Sequence, residues 1–239
     1  MQSLFGILAI IMNNRLMPLL QLSDSNFPSG AFSHSFGFET YIQEDVVTDA
    51  ASFYNALKVF LRKQLIFNDG LANKIAYENL EKGFTEMLLE LDHVLYTTCM
   101  ARETREGNQK MGERMAKLCM ELYPSSQLEY YLGWVKKKNA YGHPAIVLAT
   151  VYHSLNISKK ESIETFLFTT ISSLVQNAVR GIPIGQTAGQ KIVMDIQPLL
   201  KKSVESILSL SSDDLGAGSP GLEIAQMHHE RLHVRLFMS

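Results

Sequence analysis

His229-Glu230-Arg231-Leu232-His233 spells H-E-x-x-H. On a helix, histidines four apart project from one face and grip a single zinc ion, while the glutamate between them deprotonates a bound water. In peptidases of that kind the helix lies in the body of the domain, and a third ligand usually follows it in sequence. Here six residues follow His233 and none is His, Asp, Glu or Cys, while SSDDLGAGSPG, residues 211–221, precedes the motif as a polar, glycine-rich linker. That context argues against a peptidase helix. His228, His229 and His233 also offer imidazoles, which suit nickel, so a nickel carrier is the milder metal-binding alternative. Solvated tail histidines are the plainer explanation.

The other chemistry-bearing residues read as structural. His34 lies between Ser33 and Ser35 in FSHSFG, but neighbours in sequence rarely face each other and no G-x-S-x-G elbow surrounds them. A histidine hydrogen-bonded within a packed turn is the expectation. Gly30 and Gly37 invite a phosphate-loop reading, yet G-x-x-x-x-G-K-[ST] does not occur, and no nucleotide hydrolysis is expected. His143 precedes Pro144 at a helix start, where it should cap. His93 and His153 fall on helical stretches, and Lys136-Lys137-Lys138 reads as a solvated helix end. Cys99 and Cys119 form no C-x-x-C, which fits a reducing, cytoplasmic setting without disulfides. No cofactor is expected.

These residues must be held by helices. The chain has 239 residues, of which 46% are apolar, enough for one sizeable core. Its 22 basic and 24 acidic residues give a net charge of −2 with no basic concentration, which argues against a nucleic-acid partner. The apolar run from Leu4 to Met12 is far shorter than the roughly 20 residues of a membrane span and has no signal-peptide flanks. No membrane association is expected; residues 1–15 read as a helical extension, with Met12 or Met17 as candidate starts.

From Ser158 to Ile182 apolar residues recur at three-four spacing through Ile163, Phe166, Leu167, Ile171, Leu174, Val175 and Ala178. Ser158 with Glu161 forms a capping box at its start, and Gly181 with Pro183 ends it. Thr187 with Gln190 repeats the capping signature before a second long helix that Pro198 should kink or divide. Ser126 with Glu129 should cap another, and Pro144 opens a helix apolar on nearly every side. A stripe from Phe53 to Leu65 begins a helix near Thr48, and further helices are expected over 71–81, 85–98 and 109–122. The prediction is an all-α, single-domain bundle of roughly eight to ten helices over residues 16–210, with 211–221 as a flexible linker and 222–239 as a tethered C-terminal arm.

Four segments carry more polar and glycine residues than packing explains. LLQLSDSNFPSGAFSHSFGFETYI, the apolar helix after Gly142-His143, SSLVQNAVRGIPIGQTAGQKI and MHHERLHVRLFMS together resemble, in order and spacing, the signature segments of the urease accessory protein UreF family. The likeness extends over residues 16–239; the 80–130 region shares only helical character. It assigns motif positions to Phe27, Pro28, Gly30, Ser33, His34, Ser35, Glu39, Gly142, His143, Pro183 and Gly189. In that family the tail runs close to H-E-x-L-x-x-R-L-x-x-S. Glu230 and Arg235 fill the recurring acidic and basic positions, and His233 stands where other residues are usual, so H-E-x-x-H arises from one substitution.

The resemblance implies a non-enzymatic, all-α homodimer. Such a protein serves as a scaffold for nickel insertion into the urease apoprotein, joining UreD (also called UreH) to the GTPase UreG and modulating its GTP-dependent nickel delivery. On that footing Glu230, Arg235, Leu236 and Phe237 are expected to anchor the tail to a partner. Arg180, Gln186 and Gln190 are expected to form a surface or passage serving the GTPase and nickel transfer.

Overall fold

The structure, a computed structural model, describes residues 15–239. Almost all of the expected 1–15 extension thus lies outside the described residues. The fold is all-α. Helix α1 covers residues 15–23, and a loop carrying a short 3₁₀ turn, Ala31–Ser33, leads to α2 (Phe38–Gln43). The chain continues through α3 (Ala50–Phe60), α4 (Leu71–Glu81), α5 (Met87–Thr98), α6 (Arg102–Leu122) and α7 (Ser126–Lys136). It then runs through α8 (Pro144–Ser154), α9 (Lys159–Gly181), α10 (Gln186–Ser209) and α11 (Pro220–His228).

Helix α8 occupies the centre: every residue from Pro144 to Tyr152 is buried, as a helix apolar all round must be. Helices α4, α6, α7 and α9 pack on it, α4 also meets α9, and α10 lies along α9. A single core holds them, with Tyr131, Tyr152, Phe53 and Leu57 fully enclosed.

The local signals in the sequence explain much of this. The Ser158–Glu161 box is present, with both reciprocal bonds, and α9 ends at Gly181. His143 caps α8, its Nδ1 accepting from the Ala145 N–H at 3.3 Å. Other starts differ. The cap of α7 is Ser125, whose hydroxyl accepts from the Leu128 N–H, so the Ser126 cap is one residue late. Helix α10 begins at Gln186 behind Gly185 with no side-chain cap, and it runs unbroken through Pro198, which does not divide it.

Two helices are longer than their apolar pattern suggests. Helix α6 starts at Arg102, seven residues before the expected 109, because its polar first turns bind the tail rather than the core. Between α3 and α4 the chain does not break; Leu61–Gly70 continues as a wider π-helical segment, with the Leu71 N–H reaching back to the Ile66 carbonyl. Ten residues at that pitch rotate the apolar face, and the sequence pattern therefore reads as two helices with a gap.

The expected detached arm is seated. Helix α11 packs on α2 and α6, and Leu222, Ala225, Gln226, His229, Phe237 and Ser239 are buried. The glycine-rich stretch 211–219 is a connection to a docked element.

Candidate functional site: the seat of the tail

Glu39 on α2 organises the seat. Only 1% exposed, its carboxylate accepts hydrogen bonds from the Leu236 N–H and from the Phe237 N–H at 3.1 Å, and it meets His229 Nε2 at 2.9 Å. The other ring nitrogen of His229 lies 2.6 Å from Glu103 of α6, whose second oxygen pairs with Arg235 at 2.7 Å. Burial works to raise the Glu103 carboxyl, but the hydrogen bonds and charges of His229 and Arg235 outweigh it and hold that group below its ordinary range. Glu230 sits at the rim, paired with Arg102 at 3.0 Å.

The loop before α2 closes the other side. The Ser239 carbonyl accepts from the Ser35 and Phe36 N–H groups, the Met238 N–H donates to the Ser33 carbonyl at 2.8 Å, and His34 Nδ1 meets the Ser239 hydroxyl at 2.7 Å. His34 is pushed down to about 4, by burial first and then by the positive charges of Lys110, Arg114 and His229. It fits because Gly107 of α6 has no side chain: a Cβ there would stand 2.8 Å from the imidazole. Gly30 and Gly37 turn the loop with φ of 91° and 88°, a region open to glycine, and a Cβ on Gly37 would meet Gln226 at 2.9 Å.

Arg180 joins α9 to both parts. Its guanidinium lies 5.4 Å from the Phe32 ring and 5.2 Å from the Phe237 ring, and it donates to the Phe32 carbonyl and to Asn177. Asn177 in turn donates to the His34 carbonyl at 2.7 Å. The structure therefore brings Arg180, Arg235, Phe237, Glu230, Glu39, His34, Ser33 and Ser35 into one construction. Gln186, Gln190 and Pro183 are exposed around the first turn of α10, and no hydrogen bond links them to Arg180 or to the tail among the described residues. Gly189 serves packing, since a Cβ there would come 2.8 Å from Val179. Phe27 packs half-buried on the core and Pro28 leads into the turn at Gly30.

The last residues alternate. Arg235, Phe237 and Ser239 face the bundle, whereas Val234, Leu236 and Met238 are 72%, 67% and 58% exposed. With Phe32 at 60% exposure, they give the seat an apolar outer surface.

Gly142 and His143 belong to a second arrangement. Asp92 of α5, itself buried, accepts from the N–H groups of Tyr141, Gly142 and His143 and from the Tyr131 hydroxyl at 2.6 Å. This fixes the loop in which Gly142 takes φ of 86°. The His143 Nε2 lies 3.4 Å from Asp69 and 3.4 Å from the Asn108 side-chain amide nitrogen. A cavity of about 120 Å³ opens there, bordered by Gln64 and Asp69 of the π-helical segment, Cys99, His143, Glu223 and Gln226. Two carboxylates and no Lys or Arg border it, but most of its wall is apolar, with Phe60, Leu65, Leu95, Met111 and Phe166 among the lining residues. Burial, with Asp69 adding to it, pushes the Cys99 thiol up to about 11, so it is no nucleophile at neutral pH. Neither Arg180, Gln186 nor Gln190 lines this cavity.

The H-E-x-x-H does not form a metal-binding helix. His229–Arg231 is a 3₁₀ turn and Leu232 is extended, His229 is enclosed by carboxylates, and His233 is exposed. Among the described residues no three His, Cys, Asp or Glu side chains are grouped to hold a metal ion, and no helix is long and apolar enough to cross a membrane.

Glu103, Asp92, Asn177, Phe32 and Gly107 were not legible as site residues. Asn177 gave one signal, a polar side chain one residue from the apolar stripe of α9; Glu103 gave none, standing in an evenly charged stretch.

The UreF family model matches residues 47–197 of the chain. Sequence relatives extend the match beyond those bounds. The chain is 61% identical over 226 residues to the urease accessory protein UreF of Bacillus sp. (strain TB-90), covering 95% of this chain and 100% of that protein. It is 49% identical to UreF of Geobacillus kaustophilus (strain HTA426), covering 95% and 99%, and 46% identical to UreF of Lachnoclostridium phytofermentans, covering 95% and 100%. The chain belongs to the UreF family. The family model ends at residue 197, before the tail.

Proposed function

We propose that this chain is a non-catalytic scaffold in nickel insertion into urease. It joins UreD (UreH) to the GTPase UreG, modulates the GTP-dependent delivery of nickel to the urease apoprotein, and works as a homodimer in the cytoplasm. Family membership supports the urease setting. The observation that carries the scaffold reading is the seated tail: its polar and charged groups are spent on the chain's own α2 and α6, and its free side chains form an apolar surface fit for a protein partner.

In this reading Leu236, with Val234 and Met238, meets the partner directly. Arg235 and Phe237 act one step back, holding the strand that presents them, and Glu230 holds the rim. Arg180, Gln186 and Gln190, exposed at the turn from α9 to α10, form the neighbouring face for the GTPase. The nickel-carrier alternative lacks support from geometry, because His228, His229 and His233 do not converge.

The test is co-purification with UreD and UreG, read by size exclusion with light scattering, comparing the full chain with a truncation after Met227. A multi-subunit complex formed by the full chain and lost by the truncation is the expected result. A full chain that stays alone would refute the scaffold assignment.

A further inference from the structure

The π-helical segment Leu61–Gly70 gives the cavity beside His143 its polar wall. A π-helix closes each turn five residues on, so Gln64, Asn68 and Asp69 share one face, whereas an α-helical pitch would carry Asp69 away from Gln64. Such segments are rare and occur frequently at functional sites. Helix α11 adds Glu223. Most of the remaining wall is apolar, with Phe60, Leu95, Met111, Met115 and Phe166. Met100, 62% exposed, and the exposed Gly216 of the connection before α11 also border the space, which gives a small molecule a way in.

The polar wall is short of donors. Gln64 Oε1 is buried with no hydrogen-bond partner among the described residues, and Asp69 faces His143 Nε2 at 3.4 Å, longer than a good hydrogen bond. No Lys or Arg borders the space. Buried acceptors of this kind cost free energy until a donor reaches them. The volume of about 120 Å³ is close to that of an apolar protein cavity, roughly 150 Å³, that admits benzene.

These properties select among occupants. An anion would meet Asp69 and Glu223, and a purely apolar molecule would leave the acceptors unpaired. Water alone would satisfy the acceptors but wet an aromatic and methionine wall. A metal ion lacks its ligands, since no three such side chains are grouped among the described residues. A compact cation with several N–H donors and a short carbon body answers both walls at once.

We propose that this cavity binds a small primary alkylammonium ion, its ammonium donating to Gln64 Oε1 and Asp69 and its carbon chain lying against Met111, Met115 and Phe166. Glu223 adds negative charge from α11, so the site is whole when α11 is docked. The proposal goes beyond the scaffold role and does not rest on it.

The test is isothermal titration calorimetry of the full chain with n-butylamine at pH 7, where an alkylamine is protonated as lysine is. 1-Butanol and butyrate, of equal chain length, are the neutral and anionic controls. One butylammonium per chain is expected, with butanol at least about tenfold weaker, the loss of a charged hydrogen bond, and butyrate not bound. NMR with ¹³C-methyl methionine should show contacts from the ligand chain to the Met111 and Met115 methyls. Asp69→Asn should weaken butylammonium at least about tenfold and leave butanol unchanged. Absence of saturable binding would overturn the proposal, as would butanol or butyrate binding equally well, or contacts to methionines elsewhere. The three ligands compared on the unaltered chain decide the matter even if the variant fails to fold.

Discussion

A carboxylate as enclosed as Glu39, accepting from two backbone N–H groups and in contact with the His229 ring, has no water to replace a lost partner. Breaking such a buried charged set by removing one member costs about 3–5 kcal/mol while the surroundings stay closed. Here they need not, because the tail can leave and let water in. Glu39→Gln should therefore unseat the tail more than it unfolds the bundle: trypsin should cut at Arg231 and Arg235 much faster, with the urea midpoint only slightly lower. Equal loss in both readings would mean that the tail and bundle fold as one unit. His34 gives a pH prediction at the same scale. Its value of about 4 against an ordinary 6.5 means that the neutral form contributes on the order of 3 kcal/mol, fully present above pH 6.5 and lost as pH falls toward 4. Urea unfolding at several pH values should show that slope, and His34→Gln should flatten it. Residue types exposed some of this in advance: His34 read as a packed-turn histidine, and Glu39 and Arg235 fell in motif segments. Glu103 did not stand out, because a surface-like run of charges looks the same whether water or a tail covers it.

Helices meet through their glycines. A Cβ at Gly112 of α6 would sit 2.0 Å from the Gly142 carbonyl oxygen, a backbone atom held in place by Asp92, so neither side can yield. Gly112→Ala should cost about 3 kcal/mol or more, at the upper end of overpacking effects. Gly133 of α7 offers the contrast, with nothing within 4 Å of its added Cβ. Gly133→Ala should stabilise by about 0.5–1 kcal/mol, since only helix propensity changes. Thermal unfolding of the two variants checks both signs. The sequence marked α9 well, because a cap, a stop and a three-four stripe agreed, and α8 because Pro144 opened a run apolar on nearly every side. It marked α6 poorly, because its first turns bury polar contacts instead of apolar side chains, and the π-helical Leu61–Gly70 escaped notice because its pitch breaks the period by which helices are recognised.

At the scale of the molecule, the tail changes role once it is seen seated. A glycine-rich stretch before a polar, histidine-bearing segment reads as a tether, and composition cannot reveal that Glu39 and Glu103 wait for that segment across the fold. The same docking explains why the motif segments, far apart in the chain, carry their unusual residues: the loop around Gly30 and Gly37, the end of α9 and residues 229–239 complete one surface. The central claim is that this surface, presented by Leu236 and Val234, engages the partner. Both side chains point outward, so Val234→Gln with Leu236→Gln should leave the urea midpoint and the Glu39 contacts unchanged. Size exclusion with light scattering of that variant, mixed with UreD and UreG, is the most direct measurement. Loss of the multi-subunit complex from a normally folded chain is the predicted result; a complex of unchanged mass and yield would contradict the account.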